Sequence, residues 1–220
     1  MGKVNVTAFS ISLDGFGAGP NQDRKNGLGI GGEELHDWII PTKTFQHVIG
    51  KEGGTEGIDN DFVEKSFENT GAWIMGRNMF GPIRGPWPDD EWKGWWGEKP
   101  PYHVPVFVLT HHERAPVMMK GDTTFYFVTD GIESAMEKAK KAANGKNIRI
   151  GGGASTIRQF LQAGYIDEMH LAFSPVFLGS GEPLFSGPDG YRVDLLKLGF
   201  TVTQKIFGQH AVHVILKKNG

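Results

Sequence analysis

Ile148-Arg149-Ile150-Gly151-Gly152-Gly153-Ala154-Ser155-Thr156-Ile157 joins a short β-branched run to a helical pattern through three consecutive glycines. This is the grammar of a phosphate-binding strand-to-helix turn. Only glycine lets a backbone turn this tightly and come within contact distance of a bulky anion, and the following helix offers unpaired N–H groups and the positive end of its dipole. A triple glycine also reads as a plain turn, so the neighbouring segments must decide. They do so by alternating. Phe125-Tyr126-Phe127-Val128 reads as a buried strand and leads through the capping-box pattern Asp130-Gly131-Ile132-Glu133 into a helix. That helix carries Ile132, Ala135, Met136, Ala139, Ala142 and Ala143 on one face and stops at Asn144-Gly145. The glycine turn opens a second helix with Ile157, Phe160 and Leu161 inward, closed by Gly164, and residues 166–173 read as the next strand. Two βαβ units in succession require a parallel sheet with right-handed crossovers.

Working outward, the N-terminus alternates apolar and polar residues through Val4-Asn5-Val6 and predicts a first strand. A short helix over 61–67 leads to the strand Ala72-Trp73-Ile74-Met75, and Val106-Phe107-Val108-Leu109 is one more buried strand. At the C-terminal end, residues 200–206 and 211–216 alternate around Gly208-Gln209, a hairpin signal that makes the sheet mixed at one edge. Two stretches break the pattern. Residues 15–60 are glycine-rich and irregular apart from a predicted helix over 33–40, and residues 81–104 hold five prolines beside Trp87, Trp92, Trp95 and Trp96. Connections of this length are usually functional; the tryptophans are expected to cover a pocket or fill a subunit contact.

Composition sets the outer bounds. The 220 residues, 39% hydrophobic with 15 phenylalanines, suit one domain over 1–220. A net charge of -2 supplies no basic track for nucleic acid and none for a membrane surface. The absence of cysteine removes disulfides, thiolate nucleophiles and cysteine-ligated metals, and fits a cytoplasmic protein. The N-terminus lacks the long apolar run of a signal peptide. His210 and His213 lie three apart on a strand, hence on opposite faces, so no metal site is expected there.

In an open parallel sheet, ligands sit beyond the carboxyl ends of the strands. Gly76-Arg77-Asn78 follows the Ile74 strand, Thr110-His111-His112 follows the Phe107 strand, and Gly151, Gly152 and Gly153 with Ala154, Ser155 and Thr156 follow the Ile148 strand. Arg77 is a candidate for bidentate pairing with phosphate, and Thr110 and His111 for a further phosphate; each also reads as an ordinary loop residue. Together they outline a cofactor with a pyrophosphate and one extra phosphate. No acidic residue stands at the spacing that grips a free ribose 2′-hydroxyl, so NADP is preferred to NAD. No Tyr-x-x-x-Lys pair occurs, which argues against a short-chain dehydrogenase.

Four segments, Ser12-Leu13-Asp14-Gly15, Ile74-Met75-Gly76-Arg77, Gly151-Gly152-Gly153-Ala154 and residues 178–185 (Leu-Gly-Ser-Gly-Glu-Pro-Leu-Phe), occur in the order found in the dihydrofolate reductase-like superfamily. The chain resembles stand-alone relatives of the reductase domain of the bifunctional riboflavin-pathway deaminase-reductase. The resemblance implies a three-layer α/β/α fold, NADPH across the strand ends, and a homodimer. It carries Gly76 and Arg77 to a phosphate site, Thr110 and His111 to the adenosine-phosphate side, and Gly152 to Thr156 to the pyrophosphate turn. Met79 departs from the threonine often found two residues after the arginine, and Phe16 from the basic or small residue that commonly follows Asp-Gly in riboflavin-type reductases. The zinc deaminase half is absent.

The implied chemistry is hydride transfer from NADPH to a small heterocycle, a ribosylamino-pyrimidine or a pterin-like compound, with a proton supplied by a carboxyl group or water. Asp37, beside Trp38, Ile39 and Ile40, is the first candidate, since partial burial would raise its pKa; Asp14 is the second, and also reads as a turn residue. Glu33 and Glu34 read equally as complements to a helix dipole. The alternative from another class is an NADP-binding sensor or oligomeric scaffold without turnover.

Overall fold

The computed structural model describes residues 2–187 and 190–219. They build one nine-stranded sheet: β1 (Val4–Ser12), β2 (Thr70–Gly76), β3 (Pro105–Leu109), β4 (Val117–Met118), β5 (Thr124–Val128), β6 (Asn147–Gly152), β7 (Glu168–Ser174), β8 (Phe200–Phe207) and β9 (Val212–Lys218). Their spatial order is β4-β5-β3-β2-β6-β1-β7-β9-β8. The six strands from β5 to β7 run parallel. The outer ones are antiparallel, β4 at one edge and the β8–β9 hairpin at the other. Both edges are therefore mixed, where one was expected. The two-residue β4 is too short to leave a pattern in sequence.

The helices are α1 (Lys43–Val48), α2 (Ile58–Lys65), α3 (Arg77–Phe80), α4 (Ile132–Ala143) and α5 (Ala154–Gln162), with a short 3-10 helix over Gly32–His36. The predicted helix over 33–40 thus shrinks to a 3-10 turn, and α1 and α3 were not foreseen. Before α4 the capping box does not form: Gly131 is the cap residue, and Asp130 accepts instead from Ser134 Oγ at 2.8 Å and from Lys138.

One face of the sheet packs Val6, Phe9, Ile74 and Ile150 against Ala135, Met136 and Ala139 of α4 and Ile157, Phe160 and Leu161 of α5. Phe160 is wholly buried; burial of a side chain of this size stabilises by roughly 1.5–3 kcal/mol. The other face has two covers. Over β7 and the hairpin, Trp38, Phe62 and Val63 close on Ala172 and Ala211. Over β2, β3 and β5, Phe80 and Tyr102 seal Trp73, Met75, Val106, Val108 and Phe125, with Trp87 and Trp92 packed outside them. The proline- and tryptophan-rich stretch therefore takes the place of a helical layer over half of one face, where aromatic area substitutes for regular structure.

Candidate functional site

Parallel β2, β6 and β1 end side by side, and the chain turns differently after each. β2 passes directly into α3 at Gly76, where a Cβ would strike Thr156 Oγ1 on the first turn of α5. Glycine is needed here for close approach. After β6, Gly151 packs under Trp73 and Met79, and Gly152 takes φ 125°, a conformation that L side chains rarely adopt. The peptide between Gly152 and Gly153 is cis. Gly153 is different: its φ is -72° and a Cβ there would meet nothing within 4 Å. It caps α5 without any side-chain hydrogen bond, so the first-turn N–H groups of Ala154, Ser155 and Thr156 stand at an uncapped helix start beside an opening.

Arg77 lies at the same end. Its Nε and one terminal nitrogen are enclosed and have no hydrogen-bond partner, and its Cζ sits 3.8 Å over the Trp87 ring. Burial, and then the like charges of Arg84 and Arg114, hold its pKa below the ordinary value. Desolvated guanidinium nitrogens without acceptors are costly unless an anion or water completes them. Asn78 is engaged within the protein, donating to Gln22 Oε1 at 3.2 Å and accepting from Arg84 at 3.1 Å. Thr110 is buried, and its hydroxyl accepts from His112 N at 3.2 Å, a local turn, while His111 is exposed at the rim. The strand ends thus bring together Gly76, Arg77 and residues 151–156, whereas Asn78 and Thr110 already have partners.

The segments 12–15 and 178–185 meet across the sheet. Asp14 accepts from Leu178 N at 3.1 Å and Gly179 N at 2.7 Å. Gly17 N donates to Glu182 O and Glu182 N to Ala18 O, both at 2.9 Å, forming a strap that Arg158 of α5 fastens through Pro183 O. Gly17 lies against Phe9 and Ala154, so the strap passes over the start of α5. Beside it opens a cleft of about 370 Å³ between Gly19–Gln22, Gly181–Glu182 and Arg84.

Of the two carboxylates singled out in sequence, Asp14 follows its reading as a turn residue and Asp37 departs from its own. Burial is the largest single influence on Asp14 and pushes its pKa up, but hydrogen bonds from Ser12, Gly179 and Leu178 together outweigh it and leave the carboxyl below its usual range. Asp14 is thus the turn residue. Asp37 is exposed at the end of the 3-10 helix, since Trp38 takes the inward position and donates to Ser10 Oγ at 2.9 Å. The partial burial expected for Asp37 is not found. Its neighbour His36 has an enclosed Nδ1 without a partner, and burial lowers its pKa.

Trp87, one of the tryptophans expected to cover a pocket, lies over Arg77, whereas sequence reasoning missed Arg84 and Arg114, which lie in loops with no periodicity. It also missed a buried chain linking Asp59, His213 and His170.

A mostly parallel sheet whose strand ends carry a glycine turn, an open helix start and a desolvated arginine defines the class as an α/β domain with a site at its strand ends. The chain belongs to the family of the RibD C-terminal domain, whose model matches residues 3–209. Two uncharacterized Bacillus subtilis (strain 168) proteins are similar to it. YyaP is 32% identical over 127 residues, 56% of this chain and 64% of that protein. YwjB is 39% identical over 91 residues, 38% and 52% of the two chains. The matched stretches therefore span less than two thirds of either relative. In structure the chain is similar to a Shewanella sp. PV-4 protein named for riboflavin biosynthesis, with a TM-score of 0.58, 22% identity and full coverage of both chains. It is also similar to a Thermotoga maritima deaminase/reductase, with a TM-score of 0.54, 16% identity, and coverage of 99% of this chain and 57% of that one. Among the described residues, no helix is long and apolar enough to cross a membrane.

Proposed function

We propose that this protein is an NADPH-dependent reductase acting on a small heterocycle, either a ribosylamino-pyrimidine of the riboflavin pathway or a pterin-like compound. The observation that carries the reading is the pairing of an open, uncapped start of α5 at Gly153 with the partnerless guanidinium of Arg77, one residue from Gly76, which touches Thr156. The donor set fits a nucleotide cofactor: backbone N–H groups for a pyrophosphate, a desolvated arginine for a further phosphate. NADPH, when bound, supplies the hydride. The chain's own residues bind and orient it, with Phe9 packed against Gly152 and the strap at Gly17 against Phe9 and Ala154, while the Gly153 side stays open to the ligand. Family membership and the likeness in fold to riboflavin-pathway proteins support the substrate class. The exposed Val202 and Phe207 on the edge strand β8 support a homodimer.

The test is a thermal-shift comparison of NADPH with NADH, followed by NADPH oxidation across a panel of pterins, pyrimidines and carbonyl compounds. About hundredfold saturation by NADPH stabilises the native state by ~2.7 kcal/mol. Equal shifts with both cofactors would remove the NADP assignment. The second reading, an NADP-binding sensor or scaffold without turnover, is favoured by one observation: Asp14 is committed to the backbone of residues 178–179 and Asp37 is exposed, so neither is a ready proton store. NADPH binding without oxidation of any panel member would select it.

A further inference from the structure

The guanidinium of Arg77 does not stand alone. Trp87 lies 3.8 Å over it, and the same indole donates from Nε1 to His112 O at 3.1 Å, joining the stretch 81–104 to the turn after β3. The ring is held in turn. Phe80 meets it edge-on at 5.9 Å and Phe127 at 5.4 Å. Arg114, with a side chain 1% exposed, sits 4.9 Å from the same ring and donates to Asp90 O at 2.9 Å and Trp92 O at 2.7 Å, which latches the segment that carries Trp87. A long side chain such as arginine ordinarily loses much of its binding energy to rotamer entropy and to hydration of its faces. A fixed ring over one face removes both costs while leaving the in-plane N–H groups, the ones that hydrogen-bond, without competing acceptors. Anion contacts also strengthen where water is excluded.

We propose that Trp87 is a positioning residue for anion recognition, stacking on Arg77 so that the guanidinium is held desolvated at the strand ends and selects a ligand bearing a phosphate beyond the pyrophosphate. The stretch 81–104 is then a fixed wall of the cofactor site, latched by Arg114, and Trp87 is where that wall sets specificity. The proposal rests on the reading of the site as one for NADPH.

The experiment is calorimetric titration of the full chain with adenosine 2′,5′-bisphosphate and with AMP, in the wild type, Trp87→Leu, Trp87→Phe, Arg77→Ala and the double variant Arg77→Ala/Trp87→Leu. Trp87→Leu is expected to weaken the bisphosphate about tenfold and AMP less than about twofold, the scale of a desolvated cation–π contact. Trp87→Phe should restore most of the loss, and in the Arg77→Ala background Trp87→Leu should add nothing. Equal weakening of both ligands, or full additivity with Arg77→Ala, overturns the proposal while leaving the NADPH reading in place. A wild type that binds both ligands equally overturns that reading and the proposal with it. Should Trp87→Leu fail to fold, fluorinated tryptophan, which weakens the ring's negative face at nearly unchanged size, should lower bisphosphate affinity in the wild type and not in Trp87→Phe; no difference between the two would count against the stack.

Discussion

His170 Nε2 and His213 Nδ1 lie 2.9 Å apart in the core, and the direction of the proton between them is fixed by what stands at either end. Ala8 N donates to His170 Nδ1 at 3.1 Å, so that nitrogen is an acceptor and the proton of His170 is on Nε2. It is given to His213 Nδ1, and His213 Nε2–H is given to Asp59 Oδ1 at 2.8 Å, while Asp59 Oδ2 accepts from His210 N at 3.0 Å. Both imidazoles are neutral and every ring nitrogen is occupied. Phe62 stacks on each ring at 4.2 Å.

This chain predicts an acid-sensitive fold. Burial, then His213 and Arg149, lower the His170 pKa from 6.5 to about 3, and burial lowers that of His213 against the pull of Asp59. Above pH 6.5 the imidazoles are neutral folded or unfolded and nothing is lost. As the pH falls below that value, only the unfolded chain takes up the protons, so His170 costs about 1 kcal/mol of stability per pH unit until its folded pKa is reached. Urea unfolding at several pH values should show His170→Gln less stable than wild type near neutrality but with a shallower decline in acid. Parallel declines would mean that carboxylates elsewhere govern the acid limit.

The adjacent glycines should respond oppositely. Gly152, at φ 125° and against the Phe9 ring, should lose about 1–3 kcal/mol of stability on substitution by valine. Gly153→Val projects into open space, so its circular dichroism and urea midpoint should stay near wild type while NADPH binding disappears. Normal NADPH binding by Gly153→Val would make the turn purely structural.

Arg77→Ala should separate stability from affinity. It removes a guanidinium with enclosed, unpartnered nitrogens, so the unliganded protein should stay within about 1 kcal/mol of wild type, the cation–π loss offsetting the relief. NADPH binding should weaken about tenfold or more and fall less with added salt, with NADH hardly affected. A large drop in unfolding midpoint without a change in cofactor preference would place Arg77 in the scaffold.

For proton delivery the exposed Asp37 is a poor store. Asp37→Asn should therefore lower turnover less than about tenfold on any substrate the panel yields, against the 10² to 10⁴ of a positioned general acid. Asp14→Asn should act on substrate affinity and the mobility of residues 178–179, through the lost backbone contacts. A loss above about a hundredfold in Asp37→Asn would restore it as the donor.

The parallel core was legible because its strands are buried on both faces and its two clearest helices carry 3.6-residue stripes; α4 and α5 lie where the pattern put them. Periodicity is silent about chain segments that fold on aromatic contacts, which is why the stretch 81–104 gave no hint that it replaces a layer. In the site, Gly76, Gly151 and Gly152 were readable because each marks a backbone need, close approach or a positive φ. Asp37 was not, since Asp37 and Trp38 are neighbours in sequence yet point to opposite sides, and it is Trp38 that turns inward, onto Phe62 and Ser10 Oγ.

The strap also carries a consequence for biosynthesis. Asp14 and Gly179 are 165 positions apart, and β1 lies between β6 and β7, so the first strand made must wait for partners made among the last. Such long loop closures are slow to pay back their entropy. If the site holds NADPH as proposed, the strap over it is incomplete until residue 182 has left the ribosome, and cofactor supplied earlier meets an unfinished site. Cofactor capture by nascent chains of increasing length should accordingly switch on in one step rather than grow with length.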